Sequence, residues 1–213
     1  MNASIAAIRT DYKQKTLNEA DVANEPITQF ATWWKEALAS EIDEVNAMTL
    51  ATASKEGIPA ARIVLLKSYD DKGFVFFTNY NSHKGKEIAE NPHAVLVFFW
   101  KELERQVRIT GTVAKVSAAD SDEYFYSRPP GSRVGAWSSP QSEVIAGREV
   151  LDANIDKYTK EFETDIPRPE HWGGYVIQPV EVEFWQGRSN RLHDRILYTK
   201  QSDNSWKIER LAP

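Results

Sequence analysis

The segment from Trp185 to Arg195 concentrates side chains that can bind a flat, anionic molecule. It contains an indole, the His193 imidazole and three guanidinium groups, from Arg188, Arg191 and Arg195. Arginine can engage two phosphate oxygens at once through its planar fork, whereas lysine is a point charge. If the segment is a strand, Arg191, His193 and Arg195 share one face, because side chains alternate along a strand. A site for a phosphorylated ring is one interpretation, and a solvated edge strand with a buried Trp185 explains the pattern equally well.

Other segments place a cation or a hydroxyl at a strand or helix end. Residues 62–67 read Arg-Ile-Val-Leu-Leu-Lys, which fits a core strand with exposed cationic ends or a platform for an anion and a ring. Residues 82–84, Ser-His-Lys, open a predicted helix, where free amides favour a phosphate. Residues 124–132 supply a phenol, a guanidinium and a hydroxyl that suit a second phosphate, or form an aromatic helix face and a turn. Taken singly, none of these segments decides the function.

Composition limits the classes of protein that this chain can represent. Its 213 residues suit one domain with a continuous core, and seven Trp, eight Tyr and nine Phe make it rich in aromatic side chains. The net charge of −5 argues against a general nucleic-acid binder. Cysteine is absent and the four His residues show no metal-ligand spacing, so we expect no disulfide and no metal. The longest apolar run, residues 94–100, is too short to cross a bilayer, and we expect a cytoplasmic protein with no membrane partner.

The order of predicted elements indicates a mainly β protein with peripheral helices, of the α+β class. Residues 1–25 are polar and predict a mobile N-terminal arm, followed by a single domain over residues 26–213. Residues 128–141 are rich in Pro and Gly and predict an irregular loop. Apolar periodicity predicts helices at 27–40, 82–90, 118–127 and 147–162. Short apolar runs between turns predict strands at 47–53, 60–69, 74–79, 93–101, 105–116, 173–185, 194–199 and a last one through 206–208. Such a pattern favours a closed or partly open antiparallel barrel.

Taken together, these segments resemble the pyridoxine (pyridoxamine) 5′-phosphate oxidase family, in the same order and over nearly the whole chain. The most specific signals are Arg-Leu-His-Asp-Arg at 191–195 and Trp-Lys-Ile-Glu-Arg-Leu-Ala-Pro at 206–213. The other matching segments are residues 9–12, 62–67, 103–107, 124–129, 135–137, 141–142, 172–174 and 184–187.

The resemblance implies a split β-barrel homodimer that binds FMN at two sites on the subunit interface. It also implies oxidation of pyridoxamine or pyridoxine 5′-phosphate to pyridoxal 5′-phosphate, with O₂ as electron acceptor and H₂O₂ as a product. The FMN site would comprise Arg62, Ile63, Val64, Leu65, Leu66, Lys67, Phe77, Thr78, Ser82, His83, Lys84, Gln106, Gln141, Ser142, Trp185 and Arg195. The substrate would be held by Arg9, Tyr12, Lys67, Tyr124, Arg128, Ser132, Arg191 and His193. Of these, Arg191 and His193 would be the catalytic residues beside the reacting carbon.

Two positions depart from the pattern that the family leads us to expect. Phe77 stands where we expect Tyr, and His83 stands where we expect Arg. We therefore expect altered affinity for the cofactor and an intact reaction. Two other functions remain open: a flavin or pyridoxal-phosphate binding module without oxidase activity, and a related barrel enzyme that reduces another substrate with a deazaflavin or nicotinamide donor.

Overall fold

The computed structural model of the protein describes residue 7, residues 11–163 and residues 165–213. The chain divides into two compact units. The first unit comprises Met1–Thr49, Val95–Gly111 and Pro179–Pro213, and the second comprises Leu50–Ala94 and Thr112–Gln178. Four strands contribute residues to both units: β1 (Ala47–Ala53), β5 (His93–Trp100), β6 (Arg105–Lys115) and β7 (Trp172–Gln186).

The first unit also contains helix α1 (Pro26–Ala39) and strands β8 (Asp194–Lys200) and β9 (Trp206–Arg210). Pro26 suits the start of α1, because its fixed φ is already helical and the missing N–H has no intrahelical partner. Phe30, Trp33 and Ala37 recur at helical spacing and are buried. The Phe30 ring lies 5.3 Å from Phe98, and the Trp33 ring lies 5.2 Å from Phe184. An aromatic core thus fixes α1 in this unit.

The second unit contains strands β2 (Pro59–Leu65), β3 (Ser68–Asp70) and β4 (Gly73–Asn79). Its helices are α2 (His83–Glu90), α3 (Ala118–Ser127), α4 (Pro130–Ser138) and α5 (Arg148–Phe162). Strand β4 pairs antiparallel with β7, which places Asn79 opposite Trp172. The Ser82 hydroxyl accepts a hydrogen bond from the Gly85 amide and so begins α2. The core beneath the helices comprises Phe125, Val134, Ala136, Ile166 and Trp172.

The nine strands of the described residues form one sheet. Its order is β2-β1-β5-β6-β7-β4-β3, and β8 pairs with both β7 and β9. The β3–β4, β4–β7, β7–β8 and β8–β9 pairs are antiparallel. The predicted helices and strands are present to within a few residues at their ends, so the mainly β, helix-flanked architecture is confirmed. Among the described residues, no helix combines the length and the apolar character that crossing a bilayer requires.

The predicted irregular loop at residues 128–141 was wrong, because Pro130–Ser138 forms helix α4. Proline is well tolerated in the first turn of a helix, and no other atom lies within 4 Å of a Cβ built on Gly131 or Gly135. Val134 and Ala136 are buried in the core of the second unit, so tertiary packing outweighs the low helix propensity of glycine.

The predicted strand at 60–69 is interrupted between Leu65 and Ser68. The division into a mobile arm and a single domain stays a prediction.

Candidate functional site

A cavity of about 910 Å³ opens in the second unit. Strand β2, the end of β4, the start of α2 and helices α3 and α4 all contribute to its walls. The lining residues are Arg62, Ile63, Val64, Leu65, Lys67, Phe77, Thr78, Asn79, His83, Lys84, Tyr124, Arg128, Ser132, Gly135, Ala136, Ser139, Gln141, Ser142 and Trp172. These described residues include two arginines and two lysines but no carboxylate, which favours an anionic ligand.

Lys84 is the most buried cation of this lining. Its Nζ lies 3.2 Å from the Thr78 hydroxyl, 3.3 Å from the Ser82 hydroxyl and 3.5 Å from the Gln141 amide oxygen. All three partners are neutral. Burial, together with the nearby charge of Arg62, lowers the pKa of Lys84. An anion bound here would therefore compensate a charge that the described residues leave without a carboxylate partner.

Arg62 and His83 share a single carboxylate, that of Glu87. Arg62 Nη2 lies 3.3 Å from Glu87 Oε2, and His83 Nε2 lies 3.2 Å from Glu87 Oε1, one helical turn away on α2. Glu87 is buried and also accepts a hydrogen bond from the Thr52 hydroxyl. This carboxylate fixes the Arg62 guanidinium at the cavity wall, while the His83 side chain stays largely exposed.

Stacked aromatic rings form another part of the cavity wall. Phe77 stacks against Tyr124, at a centroid distance of 4.1 Å, and against Trp172, at 5.5 Å, with interplanar angles of 24° and 14°. The Tyr124 and Trp172 centroids are 6.1 Å apart. The guanidinium carbon of Arg128 lies 4.5 Å from the Trp172 ring centroid, a cation–π geometry. Arg128 Nη1 is buried and has no hydrogen-bond partner among the described residues. Burial lowers the pKa of Arg128. A desolvated guanidinium next to a flat aromatic wall suits a ligand with both a ring and an anionic group.

A second polar cluster lies in the first unit, around His193. The imidazole lies 4.5 Å from the Trp185 ring, and Tyr12 meets Trp185 edge-on at 5.9 Å. The Arg188 backbone N–H donates to His193 Nδ1 at 3.1 Å. Burial, aided by the charge of Arg191, lowers the pKa of His193. Near neutral pH the ring is therefore uncharged and carries its single proton on Nε2.

The prediction that Arg191, His193 and Arg195 share one strand face was wrong. Ser189–Arg191 forms a 3-10 turn, and strand β8 begins only at Asp194. Asn190 and Arg191 have positive φ values of 57° and 62°, which no regular strand accommodates. The turn therefore breaks the alternation on which the prediction depended.

Ion pairs within the first unit engage most of the arginines near His193. Arg195 Nε lies 2.7 Å from Glu183 Oε1, and Arg188 Nη1 lies 2.8 Å from Asp194 Oδ2. Arg191 differs, because it is exposed and has no ion pair with any described residue. Of these three guanidinium groups, that of Arg191 alone is free of a carboxylate in the part of the chain that the structure describes.

Two family models match this chain, and together they cover most of it. Residues 34–161 match the family model for pyridoxamine 5′-phosphate oxidase, and residues 172–213 match that for the pyridoxine 5′-phosphate oxidase C-terminal dimerisation region. The chain belongs to the pyridoxamine 5′-phosphate oxidase family. Its C-terminal strands β8 and β9 therefore lie in a region that this family uses for dimerisation.

Full-length relatives within the family are closely similar. The pyridoxine/pyridoxamine 5′-phosphate oxidase of a Cyanothece strain is 59% identical, with all of both chains covered. The protein of the same name from Salinibacter ruber is 54% identical, over 99% of this chain and 100% of its own. Among solved structures, PhzG from Burkholderia lata is 30% identical with a TM-score of 0.89, covering 96% of this chain and all of PhzG. An FMN binding protein from Nostoc punctiforme, 17% identical with a TM-score of 0.71 over 90% of this chain and all of its own, shares the fold. The split-barrel fold class is thus confirmed.

The cavity brings together most of the residues that the family resemblance nominated. It is lined by all the predicted FMN residues of the second unit except Leu66 and Ser82, and by Lys67, Tyr124, Arg128 and Ser132 of the predicted substrate set. Leu66 is buried. The Ser82 hydroxyl caps the N-terminus of α2 and donates a hydrogen bond to the Asn79 carbonyl. The first unit contains the other predicted site residues that the structure describes: Tyr12, Gln106, Trp185, Arg191, His193 and Arg195. Arg9 lies outside the described residues.

Five other residues line the cavity and were not predicted from the sequence. They are Asn79, Gly135, Ala136, Ser139 and Trp172. Trp172, Gly135 and Ala136 lie in segments that resemble the family. The sequence therefore marked these segments, but no function was predicted for these three residues. Asn79 and Ser139 follow only from the packing of β4 and α4 around the cavity.

Proposed function

We propose that this protein oxidises pyridoxamine 5′-phosphate and pyridoxine 5′-phosphate to pyridoxal 5′-phosphate, with FMN as cofactor and O₂ as electron acceptor. H₂O₂ is released, together with ammonia from the amine. The observation that carries the proposal is the cavity itself. In a member of this family, it combines uncompensated cations with a wall of stacked rings. The full-length relatives bear the name of this activity.

The cavity fits FMN by volume and by the chemistry of its walls. Lys84, which is buried among neutral partners, and Arg62, which Glu87 holds in place, would bind the phosphate. The Gln141 amide and the Thr78 hydroxyl, 3.2 Å apart, would offer hydrogen bonds to the polar edge of the ring system. When bound, FMN supplies the two-electron chemistry that no amino-acid side chain provides. The protein has to bind and orient the reactants and keep water away.

Four side chains would hold the phosphate of the substrate: Lys67, Tyr124, Arg128 and Ser132. The unpartnered Nη1 of Arg128 is the strongest reason, because a buried guanidinium N–H without an acceptor is costly unless a ligand supplies one. Lys67 Nζ lies 5.6 Å from the centre of the Tyr124 ring, so these two groups are close together. Anchoring the phosphate would orient the far end of the substrate, where the oxidised carbon lies.

His193 would act on the substrate as a hydrogen-bond donor. Because the Arg188 amide donates to Nδ1, a neutral imidazole keeps its proton on Nε2 and presents an N–H there. Accepting a proton from the substrate would require that backbone hydrogen bond to break. The unpaired Arg191 guanidinium, next to this imidazole in the chain, would add a positive charge that stabilises an anionic substrate oxygen. These roles bind and orient the substrate without requiring His193 to act as a base.

A second copy of the chain would complete the site. The cavity is lined by residues of the second unit. The first unit contains the other residues that the family resemblance assigns to the site: Gln106, Trp185 and Arg195 for FMN, and Arg191 and His193 for the substrate. The match to a dimerisation region at residues 172–213 supports a homodimer in which each copy supplies one part of each FMN site.

The direct test is to load the purified protein with FMN and measure O₂ uptake, peroxide and aldehyde product. Both phosphorylated substrates should be oxidised, and pyridoxamine without its phosphate should react poorly because the Arg128 region would lack its anion. Arg191→Ala should depress turnover and leave FMN bound. Tetrahydrophenazine-1-carboxylic acid, the ligand of PhzG, serves as the competing substrate. A loaded protein that oxidises only this compound, or neither, contradicts the proposal.

The shared site is tested by mixing two inactive variants. Lys84→Met changes the second unit and Arg191→Ala changes the first, so a heterodimer would retain one unaltered site. Co-expression should therefore restore part of the activity that each variant alone has lost. If both parts of a site come from the same chain, mixing restores nothing.

A further inference from the structure

Two carboxylates of the first unit hold the N-terminal segment, residues 11–19, through its backbone. The amides of Lys13 and Gln14 both donate to Glu104 Oε2, at 2.9 and 3.0 Å. Glu104 is buried at the turn before β6. Hydrogen bonds to a carboxylate that is shielded from water are stronger than those between neutral groups.

Asp194 provides the second attachment, immediately after His193. The Leu17 amide donates to Asp194 Oδ2 at 3.1 Å, and Leu17 itself is buried. Arg210 Nη1 lies 2.8 Å from Asp194 Oδ1, while Arg210 Nη2 donates to the Leu17 carbonyl at 3.0 Å. Burial alone would raise the pKa of Asp194, but the hydrogen bonds from Leu17, Arg188 and Arg210 lower it overall.

Glu19 extends this attachment on the solvent side. Arg210 Nε and Nη2 each lie 2.8 Å from a different Glu19 oxygen, the paired geometry in which arginine binds a carboxylate well. The hydrogen bond from Arg210 lowers the pKa of Glu19 to about 2. Arg210 of β9 therefore links Glu19 of the segment to Asp194 of β8.

The attached segment carries Tyr12 to the Trp185–His193 pair. The Ser189 hydroxyl donates to the Tyr12 carbonyl at 3.2 Å, and the Tyr12 ring lies 6.0 Å from the imidazole. A Cβ added to Gly187 would lie 2.7 Å from the Tyr12 ring, so the absence of a side chain there admits the ring. Tyr12 is thus placed by contacts on both sides.

We propose that Glu104 and Asp194 are positioning residues that hold residues 11–19 in place and so keep Tyr12 beside His193. Neither carboxylate needs to contact the substrate or the cofactor. The effect on catalysis rests on the proposed oxidase activity, whereas the attachment of the segment does not. The two aspects can therefore be measured separately.

The first experiment measures trypsin cleavage at Lys13 and Lys15 in the FMN-loaded protein by mass spectrometry. Glu104→Gln and Asp194→Asn keep the shape of each side chain and remove its charge. Each should raise the cleavage rate roughly tenfold, since a charge-assisted hydrogen bond becomes a neutral one. Asp156→Asn, at an exposed position of α5, is the matched control and should leave the rate unchanged. Glu19→Gln, at an exposed position, should fold normally and raise the rate by a smaller factor.

The second experiment measures kcat and KM for pyridoxamine 5′-phosphate with the same variants. We expect KM to rise in parallel with the cleavage rate, while FMN affinity and kcat stay close to those of the parent protein. Unchanged cleavage in Glu19→Gln, Glu104→Gln and Asp194→Asn would overturn the proposal. So would a fall in kcat with normal cleavage, which would assign Asp194 to the chemistry. If the parent protein shows no oxidase activity, the proposed function fails while the cleavage result still decides the attachment.

Discussion

Two basic side chains of the second-unit cavity, Lys84 and Arg128, and two of the first unit, Arg195 and Arg210, have opposite surroundings. In the cavity, Lys84 contacts neutral groups and Arg128 has a buried N–H without a partner among the described residues. In the first unit, Arg195 and Arg210 each lie within 2.8 Å of a carboxylate oxygen. Burial lowers the pKa of Lys84 and that of Arg128, whereas hydrogen bonds to carboxylates raise the pKa of Arg195 and that of Arg210.

This difference separates charges that bind a ligand from charges that hold the fold. A cation buried without an anion destabilises the empty protein, so such a group marks the place where an external anion contributes binding energy. A cation whose only anionic partner is a carboxylate of the same protein contributes to the folded state even when no ligand is bound. The comparison predicts that mutations of these two pairs of cations act on different quantities: ligand affinity for Lys84 and Arg128, and the free energy of unfolding for Arg195 and Arg210.

The largest effect should come from Arg128→Met, which keeps an unbranched apolar side chain and removes the guanidinium. The KM for pyridoxamine 5′-phosphate should rise about 100-fold, because the phosphate loses a charge-assisted hydrogen bond in a desolvated site. Steady-state kinetics measure this change. The melting temperature should stay the same or rise, since the guanidinium has no ion pair or hydrogen bond with a described residue to lose and removing it relieves an uncompensated buried charge. A lower melting temperature with an unchanged KM would show that Arg128 is a structural residue.

A smaller effect, of the opposite kind, should follow Arg195→Met. The buried Glu183 carboxylate loses its 2.7 Å partner but keeps Arg108, at 2.6 Å, so we expect the free energy of unfolding to fall by about 2 kcal/mol. Urea denaturation of the cofactor-free protein measures this change. Arg148→Met, at an exposed position of α5, is the control. If stability were unchanged while FMN affinity collapsed, the contrast between the two regions would be lost.

The smallest effect is a pH dependence of FMN affinity. Because the pKa of Lys84 lies below its ordinary value of 10.5, its ammonium loses its proton earlier than an exposed lysine does as the pH rises. As the pH rises, affinity for the phosphate should therefore decline at a lower pH than it would with an exposed lysine in this position. Calorimetric titration at a series of pH values checks it. Lys84→Arg should flatten the decline, and Lys86→Arg, at an exposed position of α2, should leave it as in the parent protein.

Local patterns in the sequence were sufficient to predict most helices and strands. Pro26 and the spacing of Phe30, Trp33 and Ala37 fix α1, and the Ser82 cap fixes the start of α2. Helix α4 could not be predicted in this way, because its stability comes from burying Val134 and Ala136 against residues distant in the chain. A count of Pro and Gly says nothing about such packing.

The residue types of the site were predictable from the family resemblance, but their surroundings were not. No pattern in the sequence shows that Glu87 holds Arg62, or that the Arg188 amide fixes the proton of His193. The left-handed backbone at Asn190 and Arg191 was not predicted either. Because of this turn, Arg191, His193 and Arg195 do not lie along one alternating strand. These features set charge and proton positions, so they determine what the nominated residues can do.

The stacking of Trp172 on Phe77 gives the protein a built-in optical probe. This indole lines the cavity, with Arg128 on its face, so any ring that enters will change its ultraviolet emission. The chain has seven tryptophans, and the difference between the parent protein and Trp172→Phe isolates the signal of this one. Occupancy of the cavity can thus be followed by light alone, in stopped-flow instruments and without any attached dye.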